Sequence, residues 1–346
     1  MAINDFSKEE RVSFEDIMEG FNDALVMSSN VNIYTADDTM MARTNDTIWR
    51  PQPYIAQSFD GTDQTANFQG MTQLSVPVTL GFEKCAPWEM TAKQLRDALQ
   101  EKSLGKAAKQ KLASDINVAL MNVACNFGSL VIKRSSAAAG YDDAAQCDTI
   151  MNEQGVQMNE RFMALCSRDY NLMAKDLAAS TRSFGNAKSE KAYENSYVGR
   201  VANFDTFKLD YANRLAAAGG GGSITMDTRS SATSNNYVPV ASRLAAGGTG
   251  ERSNVDNRFH QITVSSTTSV AAGDCFTVAT VDAVHHITKG DTGNLKTYRV
   301  VSVDSSTTMT ITPPMITGQG GTDAELAYQN CVVNTPASNS ALVFLN

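Results

Sequence analysis

Residues 216–223 read Ala-Ala-Ala-Gly-Gly-Gly-Gly-Ser, and the four successive glycines constrain this chain more than any other feature. Each glycine inside a helix or strand costs about 1 kcal/mol relative to alanine, so a run of them belongs in neither. Gly219, Gly220, Gly221 and Gly222 are therefore predicted to form a hinge between two domains. Helical spacing dominates before them and short alternating segments after them. The 346 residues suit two domains, at roughly 100–200 residues each.

Ser13 and Asp16 make a capping-box-like start to a helix whose apolar stripe is Ile17, Phe21 and Leu25. From Thr47 to Gly81 the pattern is extended. Arg50-Pro51-Gln52-Pro53 excludes helix, and Leu74, Val76 and Val78 alternate as a strand with Pro77 on an edge. Ser58 to Gly70 forms a polar tip between two extended arms. A tip of this length without its own apolar face is predicted to lie on a neighbouring molecule. Thr91 to Phe127 keeps helical spacing through Leu95, Leu99, Leu112, Ile116, Leu120, Val123 and Phe127, with a bend or break expected at Gly105. Gly128 should end that helix and Ser129 to Ile132 should start a strand.

A shorter helix over Asp142–Glu153 closes on Gly155, followed by a strand at Arg161–Cys166, a helix to Leu177 and a strand at Tyr197–Phe204. Without a repeated βαβ period the fold class is α+β. Beyond the glycines, Phe259–Ser265, Phe276–Val278 and the hairpin Tyr298–Val303/Thr307–Thr312 alternate, Pro313-Pro314 stops the hairpin, and Ala341–Leu345 is a final apolar strand. Short strands at close spacing predict an all-β barrel or sandwich.

Charge and motifs exclude several function classes. The net charge is −8 and no basic run is present, which disfavours gripping nucleic acid. No 18-residue apolar stretch and no secretory signal are visible. The six cysteines, at 85, 125, 147, 166, 275 and 331, contain no Cys-x-x-Cys pair and are expected to be thiols. His285 and His286, read as strand neighbours, would point to opposite faces, so neither they nor His260 suggests a metal or catalytic site. The glycine run and Gly247–Gly250 lack the Lys-Ser/Thr of a phosphate loop. Neither an enzyme nor a cofactor is expected.

Several stretches, in order along nearly the whole chain, resemble the major coat proteins of P22-type tailed bacteriophages. They are Asp-Thr-Ile-Trp at 46–49 with Pro51, Leu-Arg-Asp at 95–97, Lys-Leu-Ala at 111–113, Gly-Ser-Leu-Val-Ile at 128–132 and Asn-Val-Asp-Asn-Arg-Phe at 254–259. Val300-Val301, Val303-Asp304 and Ile-Thr-Pro at 311–313 complete the set. The resemblance implies an HK97-type capsid shell fold with a long spine helix, an extended loop and an inserted telokin-like β-barrel. The N-terminal arm would be 1–35 and the shell domain 36–222, with the extended loop at about 50–80 and the spine helix at about 91–128. The barrel would be 223–340, and 341–346 would begin the return to the shell domain.

It implies a capsid protein that self-assembles in hexamers and pentamers into an icosahedral shell around double-stranded DNA, without sequence-specific binding. A scaffolding protein and a portal protein at one vertex would be partners, assembly would occur in the host cytoplasm, and no membrane would be involved. Inter-subunit contacts are expected at Ser58, Asp60, Asp63, Gln64 and Phe68, and at Glu251 and Arg252, the only charged residues of the loop Ala245–Ser253. The family's chains continue past the point matching Asn346, so a longer functional chain is an expectation. A phage decoration or glycan-binding β-module is the alternative reading.

Overall fold

The computed structural model describes residues 26–31, 47–53, 55–56, 58–65, 68, 75–79, 81–87, 89, 98–134, 140–179, 187–209, 211, 223–226, 256, 258–317, 323–333 and 340–345. Residue contacts divide the chain into two compact units, Met1–Asp46 with Leu80–Ala124, and Thr47–Thr79 with Cys125–Asn346. The expected helix over 13–25 and the hinge glycines Gly219–Gly222 lie outside the described residues, as do Glu251 and Arg252.

The first unit holds helix α1 (Val26–Ser29) and most of α2 (Ala98–Phe127). The Met27 amide donates to Asn117 Oδ1 at 3.2 Å. Thirty residues make α2 roughly 45 Å long at 1.5 Å per residue. The helix passes Gly105 without a break, and that glycine is buried. The expected interruption is thus absent: the helix runs on from Lys106 to Phe127, and the run Lys-Ala-Ala-Lys-Gln-Lys-Leu-Ala at 106–113 restores helical propensity. Lys111 and Asp115 pair at 2.7 Å one turn apart on its exposed side.

In the second unit, β1 (Thr47–Pro51) and β2 (Ser75–Thr79) form the antiparallel ribbon expected for the extended loop, with Trp49 opposite Pro77. Pro77 can sit there because each strand has only one partner in the sheet. The root of the loop is fixed: Tyr328 donates its hydroxyl to the Pro53 carbonyl at 3.1 Å, and Ile55 packs on Ile316, Ala327 and Tyr328.

A mixed lobe follows, built from α3 (Tyr141–Glu153), β3 (Arg161–Cys166), α4 (Ser167–Ala179), α5 (Ala187–Asn195), β4 (Arg200–Val201) and β5 (Phe204–Leu209). Strand β5 lies between β3, to which it is parallel, and β4, to which it is antiparallel. Helices α4 and α5 make the crossover that two parallel strands require. Met163 and Leu165 from β3 pack toward the cluster of Ala144, Tyr170, Met173, Ala174 and Val198. Two sequence expectations fail here. Residues 129–132 form no strand and join no sheet. The segment 197–204 is a turn and tight hairpin, with Ala202 and Asn203 both at positive φ (44° and 67°), the geometry of a two-residue I′-type connection.

The β-rich body comprises β6 (His260–Thr263), β7 (Cys275–Val284), β8 (Asp291–Val303), β9 (Thr308–Thr312), helix α6 (Asp323–Tyr328), β10 (Cys331–Val333) and β11 (Leu342–Phe344). The order is β10-β7-β8-β9-β6, with β11 also on β7. Residues 224–226 complete the circuit by bridging β6 through Met226 and Val264, and the β11 segment through Thr225 and Ala341. A closed barrel leaves no long sheet edge to recruit strangers. Its interior is Ile224, Met226, Ile262, Val264, Phe276, Val278, Tyr298, Val300, Met309 and Ile311 with four further side chains, each of these ten at most 1% exposed. The Met226 amide donates to the Ser340 carbonyl at 3.0 Å and the Leu342 amide to Ile224 at 2.9 Å. The incoming and outgoing segments of the barrel are thus neighbours, the geometry a body needs if it is inserted within another.

Candidate functional site: contact surfaces and the barrel joint

Three surfaces carry groups that could act on something outside the chain or move within it. The first is the tip of the extended loop. Ser58, Asp60 and Asp63 are exposed and Gln64 is half-buried, its amide nitrogen donating to the carbonyls of Asp60 at 3.0 Å and Gly61 at 2.6 Å. Asp63 accepts from the Thr65 amide at 3.2 Å and from its hydroxyl, and these bonds hold the Asp63 carboxyl below its ordinary range. The tip is locally ordered by its own polar groups while Phe68 is left 84% exposed. A phenylalanine so bare forgoes about 1.5–3 kcal/mol of burial.

The second lies on the mixed lobe. Phe162 of β3 and Phe207 of β5 meet on the sheet face opposite the helices, their rings tilted by 50° with centroids 6.0 Å apart, and Phe162 is 42% exposed. Around the groove between α4 and α5, floored by Ala174, Ala178, Ala179 and Ala192, Tyr193 stands 85% exposed.

The third is the joint between the barrel and the lobe, which sequence reading missed. Helix α3 ends in a Schellman motif: Gly155 sits at φ +78°, its amide donates to Asn152, and the Val156 amide donates to Met151. The barrel docks on that end. The His286 amide donates to the Gln154 carbonyl at 3.1 Å, Lys296 Nζ to Gln154 Oε1 at 3.2 Å and Asn294 Nδ2 to Glu153 Oε2 at 3.0 Å. The His285 ring lies where a Cβ on Gly155 would come within 2.7 Å. Its Nδ1 accepts from the amides of Ile287 and Thr288. Both histidines lie in a turn past the end of β7, not in a strand as expected. A second set of bonds ties the barrel to the end of α2. Arg299 Nε donates to the Gly128 carbonyl at 2.8 Å, the Thr297 hydroxyl donates to Ser129, and Phe127 meets Phe259 at 5.9 Å.

Burial pushes Lys289 down to about 8 and lowers Lys296 as well. Among the described residues no group of three or more His, Cys, Asp or Glu could hold a metal, no disulfide forms, and no helix is long and apolar enough to cross a membrane.

Comparison with known proteins places the chain among bacteriophage coat proteins. The family model for the P22 coat protein, gene protein 5, matches residues 1–346, and the chain belongs to that family. It is a major capsid protein, a structural component that assembles into the virion shell. The mixed helix and sheet elements accord with the expected HK97-type α+β fold. Among solved structures, the CUS-3 coat protein I-domain is 32% identical over 37% of this chain and 99% of its own, with a TM-score of 0.25. A chain from Mycobacterium phage Che8 is 12% identical over 91% of this chain and 93% of its own, with a TM-score of 0.38.

Proposed function

We propose that the chain builds an icosahedral shell from hexamers and pentamers, around a scaffolding protein and a portal, in the bacterial cytoplasm, and encloses double-stranded DNA without reading its sequence. It works by contact between copies and catalyses nothing. The net charge of −8 supports the last point about DNA, since a wall lined with basic residues would hold packaged DNA by counterion release. In this reading 1–35 is an arm, 36–222 the shell domain, 223–340 the inserted barrel and 341–346 the start of the return. The length over which the CUS-3 I-domain matches, 37% of this chain, is close to that of the barrel segment.

The observation that carries the proposal is the extended loop. Its ribbon and root are fixed by β1–β2 pairing and by Tyr328, while its tip offers Phe68 to solvent. Ser58, Asp60, Asp63, Gln64 and Phe68 form a contact with a neighbouring copy, Glu251 and Arg252 a contact between capsomers, and Gly219–Gly222 the hinge of the barrel. Negative-stain microscopy of the chain expressed with and without its scaffold tests this. Closed shells are expected with the scaffold. Phe68→Ser should leave monomer stability within about 0.5 kcal/mol, as for an exposed site, while shell yield falls at least tenfold. A chain that stays monomeric with its scaffold, or a variant that forms shells at full yield, overturns the reading.

A further inference from the structure

The mixed lobe carries two apolar surfaces on opposite sides of its sheet, and both open to solvent. On the helical side, the groove between α4 and α5 is a cavity of about 390 Å³ floored by Ala174, Ala178, Ala179 and Ala192. Tyr193 stands at its edge, 85% exposed. On the other side Phe162 and Phe207 meet, with Phe162 partly bare. Single exposed apolar residues are ordinary. Here a ring pair and a ring-sized hole occur on one lobe, and the sheet between them keeps them from meeting within one copy. We propose that they meet between copies: Phe162 of one chain enters the alanine groove of a second copy, and Tyr193 of that second copy closes over the Phe162–Phe207 pair.

Strand alternation puts Phe162 on the outer face. Its neighbours Arg161 and Met163 turn inward, to Asn152 of α3 and to the cluster around Tyr170, so Phe162 and Ala164 face away. In register, Phe162 lies beside Asp205, Ala164 beside Phe207, and Asp205 beside Arg200 of β4. The outer face is therefore an aromatic pair next to an ion pair. Arg200 and Asp205 stand 3.9 Å apart with side chains 59% and 51% exposed, a pairing that contributes little within one chain.

The groove carries the matching charges. Lys175 lines it from α4, and the exposed Glu190 lies one turn from Tyr193 on α5. Across the contact Glu190 faces Arg200 and Lys175 faces Asp205, so both signs are complementary. An apolar cavity of about 150 Å³ holds a benzene ring, so the groove has room for the Phe162 ring. Phe, Tyr and Arg are also the groups that protein interfaces favour. The two surfaces differ from one another, so the contact is head-to-tail, the kind that closes into rings when the rotation per copy allows it. The inference rests on assembly of copies into a shell and is separate from the loop-tip contact, in which Phe68 takes part and this lobe does not.

The test uses the full-length chain with its scaffold. Shells are assembled from unlabelled and 15N-labelled chains carrying Tyr193→p-benzoylphenylalanine, irradiated, and mapped by mass spectrometry. Adducts joining labelled to unlabelled chains at 160–166 or 204–209 are expected. Adducts confined to one chain, adducts to any other segment of a second copy, or no adduct in closed shells each overturns the inference. Charge exchange is the independent measurement, and it decides alone where the photoreactive side chain blocks assembly. Arg200→Glu and Glu190→Arg should each lower shell yield at least fivefold, because every copy makes the contact. The urea midpoint of the unassembled chain should stay within about 0.3 M of the parent, as for exposed sites. The two substitutions together should restore yield to within about twofold of the parent. Full yield from either single variant, or no recovery in the pair, overturns the contact. Full shell yield in Phe68→Ser with the expected Tyr193 adduct overturns the loop-tip reading alone, and loss of shells in Phe68→Ser with a Tyr193 adduct elsewhere overturns this one alone.

Discussion

Arg161 offers the sharpest test of how the mixed lobe is held together. It opens β3, is 4% exposed, and its side chain uses all three nitrogens. Nε donates to the Gln157 carbonyl at 2.9 Å, and one terminal nitrogen pairs with Asp148 at 2.5 Å. The other terminal nitrogen donates to Asn152 Oδ1 at 2.8 Å and to the Val156 carbonyl at 2.6 Å. The guanidinium therefore ties two turns of α3 to the loop that follows it. Removing one partner of a buried pair costs about 3–5 kcal/mol. Asp148 retains 21% side-chain exposure and a bond from Asn152, so the low end applies. Arg161→Ala should therefore lose about 3 kcal/mol, roughly two decades in the unfolding constant. With a urea slope of about 2 kcal/mol per molar, the midpoint falls by about 1.5 M. Arg161→Lys should recover only part of this, because an ammonium cannot reach four acceptors spread over 148–157. Paired with Asp148→Ala in a double-mutant cycle, the coupling should exceed about 1 kcal/mol. A midpoint within about 0.3 M of the parent for Arg161→Ala, or no coupling to Asp148, refutes the reasoning.

Two further substitutions probe different parts of the molecule. Gly155→Ala places a Cβ at φ +78° and within 2.7 Å of the His285 ring, so thermal denaturation should show a loss of about 1–3 kcal/mol; an unchanged melt counts against the seat geometry. Met309→Ala empties a position that is 0% exposed in the barrel core, and should cost about 2–5 kcal/mol by urea titration of the barrel transition, with a cost below about 1 kcal/mol contradicting the packing described.

The parts of the fold written in local pattern were legible. Strand β3 falls on the residues its apolar run gives, and the α3 stop at Gly155 follows from glycine's tolerance of positive φ. The β8–β9 hairpin was readable from strict alternation, and its tip at Asp304 is fixed by side-chain bonds from Ser302 and Thr310. Helix α5 was not legible: in Ala-Lys-Ser-Glu-Lys-Ala-Tyr-Glu-Asn only Ala192 is buried among the residues whose side chains are described, so no apolar stripe announces it. Segment 129–132 misled because Leu130-Val-Ile132 has strand composition, yet Ser129 and Gly128 spend their carbonyls on barrel side chains instead of a ladder. The joint was invisible for the same reason. It is made from backbone carbonyls and from residues about 140–170 positions apart, and the histidines were judged by strand geometry they do not have.

Strand β8 shows why such a joint suits a body mounted on another. Tyr298 and Val300 point into the barrel and are fully buried, while Thr297 and Arg299, which alternate with them, reach outward to Ser129 and Gly128. One strand is thus both core wall and mounting rail. Arg299 also donates to the Gly273 carbonyl at 2.9 Å, which fixes the guanidinium on the barrel before it meets the end of α2. There it satisfies a carbonyl at the end of a helix, where a cation is favoured by roughly 0.3–1 kcal/mol from the dipole alone. The partners outside the barrel are mostly backbone carbonyls, at 128, 129 and 154, which any sequence supplies. What the barrel must supply is the cations and the hydroxyl. Each such bond contributes on the order of 1 kcal/mol net, against the far larger apolar term that holds the barrel interior. The mount can therefore yield before the barrel does, because its few polar bonds are outweighed by the buried interior of the barrel.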